Sequence, residues 1–175
     1  MNSDGLLPHR RLFIGLLPAP QTRDALVEHQ RHWRWPRGSR PTRPESLHLT
    51  LHFLGEVDAI HERALRDVLA AEQTAPFDLV LRTPQCWSGG IAVLRSDANA
   101  MLDDLHARVA TRLVDADLVP PHGAWTPHVT LARDAQFCEP PRNVRTIVWP
   151  VLDFALVWSR TTPPTGYEVL GRYGA

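Results

Sequence analysis

Two short stretches of this chain set histidine and threonine two positions apart, each followed by leucine. His48 and Thr50 lie in HLTLHFLG, residues 48–55; His128 and Thr130 lie in HVTLAR, residues 128–133. Residues two apart on a strand share a face, so each stretch offers a His–Thr pair to one side. Imidazole titrates near neutral pH and can be acid or base there. Threonine hydroxyls can donate to phosphate oxygens. In-line phosphoryl displacement needs one group to take a proton from the nucleophile and another, across phosphorus, to give one to the leaving oxygen. Two His–Thr pairs on opposite walls of a cleft would supply both. Opening a strained cyclic phosphate this way requires no metal. A single H-x-T reads more simply as a polar tip on a sheet, because short motifs recur by chance. Two copies in matching surroundings favour the chemical reading.

His52 shares the strand parity of His48 and Thr50, so H-x-T-x-H could also hold a metal. That would need a third ligand and usually a carboxylate. The second stretch has Ala132 at the equivalent place, so the repeat does not support a metal, and His52 is expected to line the cleft or to be incidental. His9, His29, His32, His61, His106 and His122 have no partner pattern, and surface or half-buried structural roles are expected for them.

The elements that must position these residues follow from periodicity and punctuation. Leu12–Leu17 is a short apolar run ended by Pro18, and reads as a core strand. Gln21–Trp35 reads as a helix opened by Pro20, followed by a Pro- and Arg-rich loop over 36–44. Leu47–Leu54 is the first motif strand; Leu47, Leu49, Leu51 and Phe53 point one way, and Gly55 ends it. Asp58 is an N-cap for a helix to about Gln73. Phe77–Leu81 and Ile91–Leu94 read as strands, with 83–90 a loop between them. Ala98–Val114 carries Leu102, Leu105, Val109 and Leu113 at helical spacing. Residues 120–125 form a loop, and Pro127–Ala132 is the second motif strand. Thr146–Trp158 is one long strand or two broken at Pro150, and Gly166–Leu170 closes the chain. The motifs start 80 positions apart, in similar β-α-β surroundings. The expected architecture is α+β and bilobal. Two pseudo-symmetric, mostly antiparallel sheets face each other across a central cleft, with helices outside, in a single domain over residues 1–175.

Composition narrows the function classes. The chain has 175 residues, 43% hydrophobic and 22% charged, with 19 basic against 19 acidic side chains. That is a globular composition, and a neutral total argues against a large sequence-blind DNA binder. Every basic residue is arginine, whose planar fork suits phosphate. Cys86 and Cys138 form no C-x-x-C pair, and neither a disulfide framework nor a thiolate zinc site is expected. Arg10-Arg11 before LFIGLL has a faint likeness to an export signal, but the run stops at Pro18 without a cleavage site. No stretch is long and apolar enough to span a membrane. A cytoplasmic location is expected.

HLTLHFLG and HVTLAR resemble the paired motifs of the 2H phosphoesterases, and most closely those of the RNA 2′,3′-cyclic phosphodiesterases, also called 2′-5′ RNA ligase-like proteins. RLFIGLLP (11–18), RPESLHLTLHFLG (43–55), WTPHVTLAR (125–133) and FALVWSRTTPPTGYEVL (154–170) extend the resemblance over nearly the whole chain. It implies hydrolysis of an RNA 2′,3′-cyclic phosphate to a 2′-phosphomonoester without a cofactor. His48 would be the proton donor and His128 the acceptor, with Thr50 and Thr130 holding the phosphate. With a 5′-hydroxyl in place of water, the reaction is 2′-5′ ligation, and the reversible form of that reaction exchanges the acid and base roles. Phe53 and Arg133 also match and would contact the terminal nucleotide, although strand parity places Phe53 on the core side and Arg133 off the His128 face. The implied partner is RNA ending in a 2′,3′-cyclic phosphate, with transfer RNA halves the family-level candidate; no membrane and no obligate protein partner is implied. The segment 85–95 departs from the resemblance, with Arg95 where an aromatic residue is usual, and Tyr173 stands where a tryptophan is common. The alternatives are a 2H phosphoesterase for another cyclic phosphate or a 2′-5′-linked nucleotide, and a non-catalytic RNA-end binding module.

Overall fold

The computed structural model describes residues 9–120 and 123–174, so His122 and part of the 120–125 loop lie outside the described residues. In chain order the elements are β1 (Arg10–Leu16), α1 (Pro20–Arg31), β2 (Arg40–Pro41), β3 (Leu49–Val57), α2 (Ala59–Ala70), β4 (Phe77–Trp87), β5 (Ile91–Ser96), α3 (Ala100–Asp115), β6 (His128–Arg133), β7 (Ile147–Val151), β8 (Phe154–Arg160) and β9 (Gly166–Tyr173). The two expected sheets are hydrogen bonded into one nine-stranded antiparallel sheet, ordered β7-β4-β5-β6-β3-β1-β8-β9 and curled into a half-barrel, with β2 on β6. The halves meet where β3 pairs with β6 through Leu49 and Val129 alone. Each half therefore presents a motif strand at its inner edge, and a pseudo-twofold axis runs between the two.

Leucine parity decides which face is covered. Leu12, Ile14 and Leu16 of β1, Leu49 and Leu51 of β3, and Val129 and Leu131 of β6 are buried against the helices. They meet Leu26 of α1, Leu65 and Leu69 of α2, and Leu102, Leu105, Val109 and Leu113 of α3. Burying each such side chain contributes about 1.5–3 kcal/mol. α2 starts where the Asp58 carboxylate accepts from the Ile60 and His61 amides, both at 2.9 Å. α3 starts where Asn99 Oδ1 accepts from the Met101 and Leu102 amides. These caps satisfy donors that the first helical turn leaves free. Among the described residues no helix is long and apolar enough to cross a membrane.

Several boundaries differ from expectation for identifiable reasons. α1 ends at Arg31 rather than Trp35, and Trp33 and Trp35 stack with ring centroids 5.0 Å apart. The 83–90 segment is not a loop: β4 runs on through Pro84 to Trp87 and forms a hairpin with β5. Its polar residues suggested a loop because one face of this half of β4 is open. Gly55 does not end β3, which continues to Val57. The last apolar stretch is two strands, but the break falls at Leu152 and Asp153 rather than at Pro150, which sits within β7, where an edge strand tolerates a missing N–H. Cys86 and Cys138, expected to be unpaired, form a disulfide 52 residues apart that ties the end of β4 to the turn after β6. No local spacing announces such a pairing.

Candidate active site

The motif strands share one local device. Along β3, Gly15 pairs with Thr50 and Ile14 with His52, so Leu51 is an extra residue. Along β6, Val93 pairs with Thr130 and Ala92 with Ala132, so Leu131 is extra. A bulge of this kind breaks the alternation of faces. Up to the bulge, His48 and Thr50, like His128 and Thr130, occupy the uncovered face. Beyond it parity reverses. His52 and Ala132 turn into the core, at 3% and 0% exposure, while Phe53 and Arg133 come round to the uncovered face. The expectation from simple alternation is thus corrected for three residues. His52 does not line the cleft, and Phe53 and Arg133 do.

His52 sits under β3 in a stack: its ring lies 4.2 Å from that of His106 on α3, which lies 3.9 Å from Trp125. Its Nε2 is 2.9 Å from the His106 carbonyl. Trp125 Nε1 donates to the Thr50 carbonyl at 3.1 Å, so the segment approaching the second motif clamps the first. Burial lowers the His52 imidazole below its ordinary value, and burial lowers His106 to about 4, with His52 adding to this. Both rings pack beneath the motif strand rather than in the cleft.

The pairing of Leu49 with Val129 sets the four motif side chains around the pseudo-axis. His48 stands beside Thr130 and Thr50 beside His128, with the two histidines on the diagonal. Such diagonal neighbours are about 7–8 Å apart, a span that a phosphate group bridges with one imidazole at each apex. The ring orientations match. His48 Nδ1 lies 2.7 Å from the Ser46 carbonyl, and His128 Nδ1 lies 2.7 Å from the Thr126 carbonyl. A carbonyl only accepts, so each Nδ1 carries a proton and each Nε2 is left for the cleft.

Aromatic rings fix the two imidazoles. Phe13 and Tyr167 pack on His48 at 4.6 and 5.2 Å, and Trp87 packs on His128 at 4.5 Å. Phe13 belongs to a small apolar cluster on the cleft face with Ala155, Val157 and Tyr167. Burial pushes His48 below its ordinary value; the Ser46 hydrogen bond opposes this, and His128 and Arg133 reinforce the lowering. Burial likewise lowers His128, opposed by Thr126 and reinforced by Arg133 and Arg95. Arg133 therefore lies close enough to act on both histidines. Burial raises the Tyr167 phenol against the pull of Arg133, Arg11 and Arg43. The Arg11 guanidinium lies 4.8 Å over the Phe53 ring, which is 46% exposed. An aromatic face and a ring of guanidinium groups around two imidazoles suit a nucleotide with its phosphate.

The sequence model of the 2′-5′ RNA ligase superfamily matches residues 20–157. The chain belongs to this superfamily. It is 35% identical to an RNA 2′,3′-cyclic phosphodiesterase of Thermus thermophilus, over 93% of this chain and 89% of that protein. It is 30% identical to the enzyme of the same name from Escherichia coli, over 73% of each. Its fold superposes on E. coli LigT crystallised with 3′-AMP at a TM-score of 0.81, with 26% identity, covering 95% of this chain and 98% of that one. The two motifs and their bulges occupy matching places in the two halves of the sheet. The fold also sets apart what the motifs alone do not name. Phe13, Trp87, Arg11 and Arg95 reach the cleft through strand pairing, and the signal for them was cross-strand register rather than any short motif.

Proposed function

We propose that this chain hydrolyses the 2′,3′-cyclic phosphate at an RNA 3′ end to a 2′-phosphomonoester, acting as one bilobal domain. The carrying observation is the pseudo-symmetric quartet of His48, Thr50, His128 and Thr130, with both imidazoles held by Nδ1 so that Nε2 faces the cleft. His128 takes a proton from water as it attacks phosphorus. His48, on the opposite side, protonates the 3′ oxygen as its bond to phosphorus breaks. Thr50 and Thr130 donate to the non-bridging oxygens, and Arg133 offsets the charge that gathers on them. Phe53 and Arg11 form the bed for the terminal nucleotide. Because burial lowers both histidines, the donor gains its proton when the anionic substrate enters beside it.

With a 5′-hydroxyl in place of water the same groups form a 2′-5′ bond, and for the return step the acid and base roles exchange. The related enzymes act, by name, on RNA cyclic phosphates, which supports RNA as the substrate class. Transfer RNA halves in the cytoplasm are the proposed natural setting, with neither a metal nor an obligate protein partner. The test is turnover of a nucleoside 2′,3′-cyclic phosphate by wild type, His48→Ala and His128→Ala. Each variant is expected to lose about 10²–10⁴-fold in kcat, the usual worth of an acid or base. A folded variant retaining its rate removes that histidine from the mechanism.

A further inference from the structure

The disulfide stands one residue from the ring that packs on His128. β7 pairs with β4 only from Phe77 to Leu81, so the rest of the strand, Thr83–Trp87, is held in the sheet by β5 alone. Alternation sends its side chains to both faces. Trp87 turns to the cleft, its ring centroid 4.5 Å from that of His128. Gln85 turns the same way. Its Oε1 accepts from Trp87 Nε1 at 2.9 Å and is approached at 3.5 Å by Arg95, which pairs with His128 across the β5–β6 ladder. Cys86 lies between Gln85 and Trp87 and turns to the covered face, opposite the buried Ala92. There it bonds to Cys138, a member of the main core.

The two ends of this bond are not equally anchored. On the Cys138 side, the Arg34 and Glu139 backbones exchange hydrogen bonds of 3.1 and 3.2 Å, which tie the turn to the segment after α1. On the Cys86 side, the tip of the β4–β5 hairpin has one such tie, the Ala135 amide donating to the Gly90 carbonyl at 2.9 Å. Opening the bridge therefore leaves the turn in place and loosens the end of β4. His128 is exposed to that loss. Its Nδ1 is fixed on the Thr126 carbonyl at 2.7 Å, but one hydrogen bond lets a ring tilt about its own axis, and the Trp87 face is what stops it. His48 is flanked instead by Phe13 of β1 and Tyr167 of β9, on strands that carry neither cysteine. The bridge thus bears on one imidazole of the pair.

We propose that Trp87 is a positioning residue for His128 and that the Cys86–Cys138 bond holds it there, so that turnover is full with the bond formed and slowed when a dithiol reduces it. This rests on the reading of His128 as the base of the hydrolysis. The reduction balances as ordinary thiol–disulfide exchange. Cys86 is exposed and Cys138 is buried, so a thiolate of the dithiol attacks Cys86 Sγ and Cys138 leaves as thiolate. The second thiolate of the reductant then displaces Cys86. The reductant ends as a disulfide, having given two electrons, and its two protons pass to Cys86 and Cys138. In the proposed cytoplasmic setting protein disulfides are uncommon, and those present usually sense redox state.

The experiment measures kcat and KM on a nucleoside 2′,3′-cyclic phosphate before and after dithiothreitol, with the freed thiols titrated and the fold followed by circular dichroism at the assay temperature. Reduction of wild type is expected to lower kcat about tenfold, inside the roughly 10²-fold that a 1 Å misplacement costs. KM should change little, because Phe53 and Arg11 lie on β3 and β1, and oxidised glutathione should restore the rate. Cys86→Ser combined with Cys138→Ser is expected to work at the reduced rate and to ignore the dithiol. Trp87→Ala should already be slow and gain no further loss on reduction, since the two changes act through one contact. Trp87→Phe, which keeps an aromatic face on His128, should retain most of the rate and the dithiol response. Turnover unchanged by complete reduction overturns the inference while the hydrolytic function stands. So does a Trp87→Ala protein that loses as much on reduction as wild type, because the bond then acts by another route. A reduced wild type that unfolds at the assay temperature also overturns it, making the bond a staple. Oxidised wild type without any turnover refutes the proposed function, and this inference with it.

Discussion

Gly15 provides a way to disturb the active site without replacing any side chain in it. It lies on β1 opposite Thr50, next to the bulge that turns the first motif. A Cβ built there would stand 2.6 Å from the Leu49 carbonyl oxygen and 3.3 Å from the Phe13 ring. An ordinary carbon–oxygen approach is about 3.3 Å, so β1 and β3 must separate by about 0.7 Å, and the obstructing atom is backbone. Leu49 is also the residue through which the two halves pair. Overpacking of this kind costs about 1–3 kcal/mol, or roughly 2–12 °C in Tm for a chain of this size. The same displacement moves His48 relative to His128. A misplacement near 1 Å can cost about 10²-fold in rate. Gly15→Ala is therefore expected to lose about 10–10²-fold in kcat on a nucleoside 2′,3′-cyclic phosphate, measured well below the variant's Tm, with denaturant melts read in parallel. A variant with wild-type kcat and wild-type melting would refute the claim that β1 sets the register of the catalytic strand.

Three further outcomes follow from the same geometry. His52→Phe should keep most turnover despite the H-x-T-x-H spacing, because His52 faces the core; a loss comparable to that of His48→Ala would place it in the reaction. The kcat/KM profile on a cyclic phosphate should peak below pH 6.5, since burial and neighbouring positive charge lower both His48 and His128, and it should fall as the acid form is lost at higher pH; a flat profile from pH 5 to 9, with chemistry limiting, would contradict a two-imidazole mechanism. Stability should fall on acidification from pH 6.5 to about 4. Burial, aided by His32, lowers His29 to about 4, so in that window the unfolded chain binds a proton that the folded chain refuses. The His29 contribution is about 2–3 kcal/mol, fully retained above pH 6.5, and urea melts of His29→Gln should show a shallower acid loss than wild type.

The chain showed its chemistry more readily than its wiring. Leu47, Leu49 and Leu51 alternate with His48 and Thr50, and a half-covered strand imposes that alternation, so the motif faces were legible. The bulges at Leu51 and Leu131 were not, because an extra residue in a ladder is defined by its partner strand. That one omission misplaced His52, Phe53 and Arg133 together. The second half of β4 read as a loop because Thr83, Pro84 and Gln85 are not buried on either face. The Cys86–Cys138 bond and the fusion of both halves through Leu49 and Val129 are long-range facts with no local signature. Arg95 was visible only as a departure from a pattern, and its meaning came from standing opposite His128.

The most direct test of the central claim is a single incubation. An RNA ending in a 2′,3′-cyclic phosphate is mixed with the protein in the presence of a chelator, and the terminal phosphate of the product is identified. A 2′-phosphate, formed at an undiminished rate, is the expected result, with the two H-x-T strands acting as opposite walls of one site. An unchanged end, or a 3′-phosphate, from folded protein would contradict the assignment of His48 as the donor to the 3′ oxygen and His128 as the base for water. Activity abolished by the chelator would contradict a reaction carried by imidazoles alone.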